Sequence, residues 1–211
     1  MDKLEKLRLK GLLVFESEFR GKGYKSIAGV DEAGRGPLAG PVAAAACIVP
    51  EGMLLEGIDD SKKLTPKRRE SLFSFITSNQ DISYAISFID PEVIDAINIY
   101  QATVQAMHEA LDKISPKPDF LLVDGIFLSR YPIPSQKIIK GDSKSQSIAA
   151  ASILAKVARD NLMMKYHKKW PEYGFDSHKG YGTKKHMDAI KKYGFCSIHR
   201  KSFEPIKSFF F

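Results

Sequence analysis

The sequence predicts an α/β fold in which helices cover both faces of a sheet. Apolar, strand-like runs at residues 26–31, 42–49, 82–89, 120–123 and 136–139 alternate with segments of helical periodicity. Such an alternation is typical of a sheet with covered faces rather than of a sandwich. The chain has 211 residues, no internal repeat and no low-complexity linker, so we expect one compact unit.

The chain begins with a predicted helix over residues 1–20, because apolar residues recur there at helical spacing and glycines follow. The stripe consists of Leu4, Leu7, Leu12 and Phe15. A first strand then leads to Asp31, and a second runs from Val42 to the proline at position 50. The alanines at 43–46 leave the second strand open to a helical interpretation.

Two further helices carry clear start and stop signals. The pair Thr65-Pro66 combines a capping residue with a proline at the first helical position, and this helix should end near Asn79. The pair Asp90-Pro91 begins the next helical region, which Pro116 and Pro118 terminate. A long helix is then predicted from Ser143 to about Lys169.

The positive charge of the chain is concentrated at its C-terminal end. Residues 165–211 contain 11 lysines and arginines against 4 acidic residues, whereas the first 164 residues contain 21 of each. Aromatic residues lie among these lysines, a mixture suited to contacts with phosphates and sugars. An ordinary solvated helical surface remains an alternative. We expect a core over residues 1–165 that includes the N-terminal helix, with a basic, aromatic-rich helical region over 166–211 packed on it.

Composition excludes several other classes of protein. No secretion signal is visible, and the longest stretch of low charge is too short to cross a bilayer. Cys47 and Cys196 belong to no paired spacing, so neither a zinc motif nor a disulfide framework is predicted. We therefore expect a cytoplasmic protein without a membrane span, and a monomer.

Carboxylates follow three of the predicted strands. Asp31 and Glu32 follow the first strand, and Asp124 and Asp142 each follow a later one. Ligands of open α/β sheets bind beyond the carboxyl ends of the strands, so these acids can share one cavity. Carboxylates packed together repel one another unless cations lie between them. A metal site is therefore predicted.

Oxygen ligands favour Mg²⁺ or Mn²⁺, and the five histidines form no zinc-type pair. Two such ions can activate water and stabilise the leaving oxygen during attack on a phosphodiester, which is nuclease chemistry. Asp160, four residues after Lys156, is instead interpreted as a structural ion-pair partner.

Each acid also has a purely structural interpretation. An acid at a strand end can simply be solvated, and Asp142 could be the N-cap of the following helix. Asp31 and Glu32 are neighbours in a strand and should point to opposite faces, so both can reach one site only if the chain turns near Gly34 and Gly36.

The glycine-rich loop at residues 34–40 does not fit a dinucleotide-binding fingerprint. Its third glycine comes one position late, and Pro41 with the apolar run after it suggests a returning strand rather than a helix. Glycines on both sides of Arg35 suit a close approach to a nucleic-acid sugar, with the arginine near a phosphate.

Residues Gly29–Pro41, GVDEAGRGPLAGP, closely resemble the signature of bacterial ribonuclease HII. Other blocks resemble that family in the same order. They lie at residues 60–64, 123–125, 140–143, 149–157 and 178–184. The resemblance covers about residues 25–203, and an ordered series of blocks is far more specific than any single motif.

The resemblance implies a ribonuclease H-like fold, a mixed sheet flanked by helices with a C-terminal helical region closing over the substrate. It assigns metal-binding catalytic roles to Asp31, Glu32, Asp124 and Asp142. The loop of Gly34, Arg35 and Gly36 would read a ribonucleotide at an RNA-to-DNA junction. Tyr181 would pack on the sugar and help to sense its 2′-hydroxyl, although a core tyrosine is the structural alternative. Phosphate neighbours are expected at Lys62, Lys63, Ser143 and Lys144.

The implied function is a metal-dependent endonuclease acting on RNA–DNA hybrids and on duplex DNA that contains ribonucleotides. It would cut on the 5′ side of a ribonucleotide and leave 3′-hydroxyl and 5′-phosphate ends. A transposase or junction resolvase of the same fold would instead cut all-DNA substrates. A hybrid-binding protein without catalysis would not need the complete set of acids. The terminal run Phe209–Phe211 is expected to pack on the protein, with contact to a partner such as a sliding clamp as the alternative.

Overall fold

The computed structural model describes residues 1–128 and 130–209, and within them a mixed five-stranded sheet of order β3-β2-β1-β4-β5. The strands are β1 Ile27–Ala33, β2 Val42–Ile48, β3 Ser83–Ile89, β4 Phe120–Asp124 and β5 Ser135–Ile138. The pairs β1–β2 and β2–β3 are antiparallel, whereas β1–β4 and β4–β5 are parallel. The predicted fold class is confirmed.

The helices lie between and after these strands. In the described part of the chain they are α1 Lys3–Gly11, α2 Val14–Gly21, α3 Pro66–Ser78, α4 Pro91–Lys113, α5 Gln146–Lys169, α6 Phe175–His178 and α7 Lys184–Tyr193. Short 3₁₀ turns occupy Gly141–Ser143, Pro171–Tyr173 and Lys207–Phe209. The predicted capping of α3 is confirmed, since the Thr65 side chain accepts a hydrogen bond from the Arg68 backbone N–H and Pro66 begins the helix.

Two long helices cover opposite faces of the sheet. Helix α4, whose backbone is kinked at Asn98 with φ 68°, packs on β2 and β3, and helix α5 packs on β1 and β2. Strand β2 shows the alternation: Ala44 and Ala46 belong to the apolar cluster on the α4 side, whereas Ala45 and Cys47 belong to the cluster on the α5 side. Small side chains on both faces of this central strand let both helices approach it closely.

The N-terminal prediction was wrong in one respect. The chain forms two helices rather than one, because α1 ends at Gly11 and α2 begins at Val14. Leu4 is 79% exposed and Leu7 69% exposed, whereas Leu9 and Leu12 are buried. The predicted stripe assumed one continuous helix, and the break after Gly11 removes that shared face.

The start of α5 also differs from the prediction. Residues Gly141–Ser143 form a 3₁₀ turn, and the N-cap of α5 is Ser145, whose hydroxyl accepts a hydrogen bond from the backbone N–H of Ile148. Asp142 is therefore not the N-cap, and the structural alternative considered for it does not apply. Its side chain remains available to the site described below.

No helix among the described residues has the length and apolar character needed to span a bilayer. The side chains of the terminal run Phe209–Phe211 lie outside the described residues, so the expectation that they pack on the protein stays a prediction.

Candidate active site

Asp31 lies on β1 at a place where helix α5 comes unusually close to the sheet. Two residues before it is Gly29, where a Cβ atom would lie 2.1 Å from the backbone carbonyl carbon of Ser147. A side chain at this position would push the first turn of α5 away. Because Asp142 immediately precedes that turn, the close approach also brings Asp142 towards Asp31.

Asp124 is the last residue of β4, the parallel neighbour of β1. One oxygen of its carboxylate, Oδ1, accepts a hydrogen bond from the backbone N–H of Gly141 at 2.6 Å. This bond ties the turn that carries Asp142 to the end of β4. The parallel strands and this turn therefore deliver three acids from distant parts of the chain to one edge of the sheet.

The three aspartates form a compact group. Asp31, Asp124 and Asp142 each offer a carboxylate oxygen, and these oxygens all lie within 4.8 Å of one another. Asp31 and Asp142 are each only 5% exposed. Within residues 1–128 and 130–209 this is the one group of three or more acidic, histidine or cysteine side chains close enough to share a metal ion.

The electrostatics of this group favour a bound cation. Burial raises the pKa of Asp31 well above its ordinary range, and the charges of Glu32 and Asp124 raise it further. Burial also raises the pKa of Asp142, with added repulsion from Asp60 and Asp124. Carboxylates that are both buried and mutually repelling are stabilised when a divalent cation lies between them. Oxygen donors of this kind fit a hard ion such as Mg²⁺ or Mn²⁺.

Glu32 lies outside the three-aspartate group. Adjacent strand residues point in opposite directions, and Glu32 lines a neighbouring cavity, where its Oε1 lies 3.4 Å from a guanidinium nitrogen of Arg35. Burial raises the pKa of Glu32, and the charge of Arg35 opposes that shift. Its charge nevertheless acts on Asp31. The structure thus places three of the four predicted acids together, with the fourth beside them.

Two open cavities lie at the site, one lined by Glu32 and the other by two of the three aspartates. The first, of about 330 Å³, is lined by the predicted loop Gly34–Gly36 and by Tyr181, which is 45% exposed. The second, of about 460 Å³, is lined by Asp124 and Asp142 together with the predicted residues Lys62, Lys63 and Ser143. Lys62 lines both cavities.

The predicted lysines differ in their contacts. The Nζ atom of Lys62 lies 3.7 Å from Oδ2 of Asp142. Burial lowers the pKa of Lys62, but the charges of Asp142 and neighbouring acids outweigh that effect, so the net shift is upward. Lys63 pairs with Asp59. Lys144 lines neither cavity and donates to the backbone carbonyl of Ile139.

Two buried arginines donate hydrogen bonds to the backbone of the glycine-rich loop and the residue after it. Arg200 donates to the backbone carbonyls of Gly34, Arg35 and Gly40 at 2.6–2.9 Å. Burial lowers the pKa of Arg200 to about 9, which leaves it charged at neutral pH. The backbone of the loop is therefore held by a positively charged side chain of the C-terminal region.

The second buried arginine, Arg159 of α5, donates to the carbonyls of Ala39, Pro41 and Lys179. Gly34 has φ +90°, and a Cβ atom there would lie 1.9 Å from Nε of Arg159. Burial lowers the pKa of Arg159 to about 10. With Arg200, it adds positive charge beside a cavity that already holds Arg35 and Lys62.

Sequence reasoning missed several residues of the site. Ser61 and Ser152 share a hydrogen bond between buried hydroxyls at 2.9 Å, and a hydrogen bond from Ser152 favours the charged form of Asp31. The two buried arginines were also missed, because arginine in a polar sequence context normally indicates a surface residue. Membership of Ser61 and Ser152 in blocks that resemble the family was the available signal.

The predicted ion pair of Asp160 is confirmed. Its Oδ1 accepts a hydrogen bond from Nζ of Lys156 at 2.8 Å, one turn earlier on α5. Lys156 also lines the cavity beside Glu32.

Comparison with known proteins assigns this arrangement to a family. The sequence profile of the ribonuclease HII family matches residues 28–206. Ribonuclease HII of Chlamydia trachomatis serovar L2 (strain ATCC VR-902B / DSM 19102 / 434/Bu) is 56% identical over 194 residues, which are 92% of this chain and 89% of that protein.

Solved structures agree. The ribonuclease H2 from Pyrococcus horikoshii OT3 superposes with a TM-score of 0.74 at 30% identity, covering 87% of this chain and 96% of that one. The RNase HII of the PCNA:RNase HII complex from Archaeoglobus fulgidus superposes with a TM-score of 0.73 at 27% identity, covering 85% and 95%. The chain belongs to the ribonuclease HII family and is a metal-dependent endoribonuclease of that family.

Proposed function

We propose that the chain hydrolyses the RNA strand of RNA–DNA hybrids and also cuts duplex DNA on the 5′ side of an embedded ribonucleotide, leaving 3′-hydroxyl and 5′-phosphate ends. One observation carries the proposal. The cavity formed by Gly34–Gly36 and Tyr181 is also lined by Glu32, whose charge acts on Asp31, and by Lys62, which lies 3.7 Å from Asp142. Groups that can hold metal therefore lie close to groups suited to a sugar. Family membership supports the ribonuclease activity.

The proposed metal ligands are Asp31, Asp124 and Asp142, with Glu32 as the fourth. When bound, two Mg²⁺ or Mn²⁺ ions would activate water for in-line attack on the phosphodiester and stabilise the leaving oxygen. The chain itself contributes the position of each carboxylate. The Gly141 N–H orients Asp124 and a hydrogen bond from Ser152 supports the ionised form of Asp31.

The sugar and its phosphates would be bound by the loop and the lysines around it. Gly34 and Gly36 both line the cavity. At Gly36 the missing side chain leaves room for a ribose to approach the backbone, whereas at Gly34 Arg159 fills that space. The half-exposed ring of Tyr181 can pack on that sugar and favour a nucleotide that carries a 2′-hydroxyl.

Phosphate contacts would come from the exposed cations. Arg35 and Lys62 line the sugar cavity, whereas Lys63 and Ser143 line the cavity next to Asp124. A phosphate bound by Arg35 would compete with its contact to Glu32, which is long at 3.4 Å. Substrate binding would thereby free the carboxylate of Glu32 for the metal site.

The test uses three duplexes of one sequence. The first is DNA only, the second is DNA with a single ribonucleotide, and the third pairs an RNA strand with a DNA strand. With Mg²⁺ or Mn²⁺ the full chain should cut the second duplex on the 5′ side of the ribonucleotide and should cut the RNA strand of the third. The ends are identified by ligation and phosphatase treatment. Cleavage of the all-DNA duplex would instead support a resolvase-like activity. An intact single-ribonucleotide duplex would remove that part of the proposal.

A further inference from the structure

Three histidine rings lie together next to the backbone of Tyr181. The rings of His178 and His186 are stacked, with centroids 4.5 Å apart. The Nε2 atoms of His186 and His199 lie 3.1 Å apart, and these two side chains are 0% and 3% exposed. Sequence reasoning excluded these histidines as a zinc motif and gave them no other role.

The partners of His186 determine where its proton lies. Its Nδ1 atom is 3.0 Å from the backbone carbonyl oxygen of Tyr181, which can only accept a hydrogen bond. Nδ1 must therefore carry a proton. In a neutral ring Nε2 is then the acceptor, and the contact with His199 requires a proton on Nε2 of His199.

The remaining nitrogen of His199 completes the assignment. Its Nδ1 must be an acceptor, and the backbone N–H of Cys196 donates to it at 3.0 Å. The chain of hydrogen bonds thus runs without conflict from the Cys196 N–H, through the rings of His199 and His186, to the carbonyl of Tyr181. The opposite assignment for His199, with Nδ1 donating to the Cys196 carbonyl, would require His186 to be a buried cation.

The surroundings disfavour such a cation. Burial lowers the pKa of His186 to about 4, and burial lowers that of His199 to about 4 as well. No carboxylate is among the causes of these two shifts, and Glu172 acts on Cys196 and Tyr173 instead. The titratable groups in contact with the two rings offer no anion, because burial lowers the pKa of His178 and raises that of the Cys196 thiol to about 11. The ring of Tyr173, which contacts His199 edge-on, is likewise uncharged at neutral pH because burial raises its pKa.

The charged groups nearby act mainly on His178. Lys185 and Lys179 disfavour its protonated form, whereas Asp176 favours it. None of these charged side chains is a partner for a protonated His186. The rings of His186 and His199 therefore stay neutral at neutral pH.

His178 fixes the residue before Tyr181 in the same manner. Its Nδ1 accepts from the Gly180 N–H at 3.2 Å, so its protonated Nε2 donates to the Tyr173 carbonyl at 2.8 Å. The Gly180 carbonyl in turn accepts from the Leu38 N–H at 2.8 Å. The backbone around Tyr181 is therefore held at consecutive polar groups, while its ring stays half exposed beside Gly36.

We propose that His186 and His199 are positioning residues, a pair of neutral, hydrogen-bonded rings that sets the backbone of Tyr181 and so the place of its ring in the sugar cavity. The effect on catalysis rests on the proposed function, since it needs Tyr181 to contact the ribose. The proton positions do not rest on it, and they can be measured on the protein alone.

The first experiment is ¹⁵N NMR of the histidine rings in the full chain at pH 7, assigned by single histidine-to-asparagine variants. We expect a proton on Nδ1 of His186 and on Nε2 of His199, and no protonated cation of either ring above pH 5. A proton on Nε2 of His186 at pH 7, or a charged His186, would contradict the assigned proton positions, whatever substrate the enzyme cuts.

The second experiment measures kcat/KM on the single-ribonucleotide duplex. His186→Leu should lower it about 10-fold or more, because small displacements of a positioning group have large kinetic effects. His186→Asn should recover most of the activity, since an amide N–H can replace Nδ1–H as donor to Tyr181. The matched control is His108→Asn, on α4 and away from the site.

A double variant separates positioning from a general structural role. In a Tyr181→Ala background, His186→Leu should change kcat/KM less than about 3-fold, because the residue through which it acts is gone. An undiminished effect in that background would overturn the proposal. If His186→Leu fails to fold, the same comparison is made with His199→Asn, and the NMR result decides independently. A wild-type enzyme that leaves the duplex intact contradicts the proposed function, not the proton assignment.

Discussion

Asp31 and Asp142 are almost completely buried although each is a carboxylate beside other carboxylates. Such an arrangement is costly for folding, because burial and repulsion both disfavour the charged form. The charged form becomes favourable when a cation lies between the oxygens. At the level of single residues, the cost of burial therefore points to metal binding more strongly than the presence of acids does.

The variant Asp124→Asn tests metal binding at the aspartate whose carboxylate accepts a hydrogen bond from the Gly141 N–H. An amide oxygen is a weaker ligand for a hard cation than a carboxylate, so cleavage should fall by roughly 100-fold or more. The amide oxygen can still accept from the Gly141 N–H, so the fold should be kept. Single-turnover cleavage and circular dichroism measure the two effects.

The control for this variant is Asp81→Asn, at an exposed position outside the site, which should leave both measurements unchanged. Full cleavage by Asp124→Asn would exclude Asp124 from metal binding.

The sequence predicted the acids of the site but not the buried residues that hold the site in place. Arg159 lies in a helix between charged residues, where a solvated side chain is the ordinary expectation, yet it is buried on three carbonyl groups. The sequence predicts a contact between Gly34 and a sugar, but the space beside its Cα is filled by that arginine. Contacts between residues more than 100 positions apart leave no mark in local sequence.

At the scale of elements, helix α5 depends on a contact with the N-terminal helix α2. The carboxylate of Glu16 on α2 is buried, and its Oε1 accepts from the hydroxyl of Ser145 at 2.7 Å and from the N–H of Ser147 at 2.9 Å. A negative side chain at a helix N-terminus is stabilising. This contact anchors the end of α5 that directly follows the turn of Asp142.

Glu16→Ala should therefore lower the free energy of unfolding by about 1–3 kcal/mol, because it leaves a buried hydroxyl and a backbone N–H without their acceptor. Urea unfolding measures the change. Glu18→Ala on the same helix is the matched control, since the ion pair of Glu18 with Lys22 is exposed and should contribute less than about 1 kcal/mol. Equal losses in the two variants would mean that the contact with α5 contributes nothing of its own.

Elements with strong local signals were predictable, and those set by tertiary contacts were not. The capped start of α3 and the prolines around α4 fixed those boundaries from sequence. The break between α1 and α2 and the 3₁₀ turn before α5 were missed. In the second case the Gly141 N–H donates to Asp124, a contact between the turn and the end of β4 that local pattern cannot reveal.

At the scale of the whole molecule, the C-terminal region supplies more than positive charge. Its apolar cluster includes Tyr173, Phe175 and Ile190 and packs on Leu38 and Ala39 of the glycine-rich loop. The same region contributes Arg200 to that loop and Tyr181 to the sugar cavity. The charge count left contact with nucleic acid and an ordinary solvated surface both open for this region, and its part in building the site could only be seen in three dimensions.

Two sets of buried groups give the stability of the molecule opposite dependences on pH. His186 and His199 have lowered pKa values of about 4 in the folded state, against about 6.5 in the unfolded state. Between these two values the folded state binds fewer protons than the unfolded state. Stability is therefore lost as the pH falls from about 6.5 to about 4. Asp31 has a raised pKa. Its contribution is fully present below the unfolded value of about 3.9 and is lost as the pH rises through the folded one.

A comparison of the wild-type protein with Asp31→Asn in the absence of metal isolates the aspartate contribution to stability. The histidines are common to both proteins, so the difference between their free energies of unfolding cancels their effect. At pH 7 the variant should be more stable by about 0.5–2 kcal/mol, as is usual when strain at an active site is relieved. The difference should shrink towards pH 4, where the Asp31 of the folded protein is protonated. Adding Mg²⁺ or Mn²⁺ at pH 7 should raise the Tm of the wild type more than that of the variant, because only the wild type keeps the full set of charged ligands. A wild-type protein that is more stable than Asp31→Asn without metal, and whose Tm does not respond to either ion, would show that the three carboxylates are held together by the fold alone.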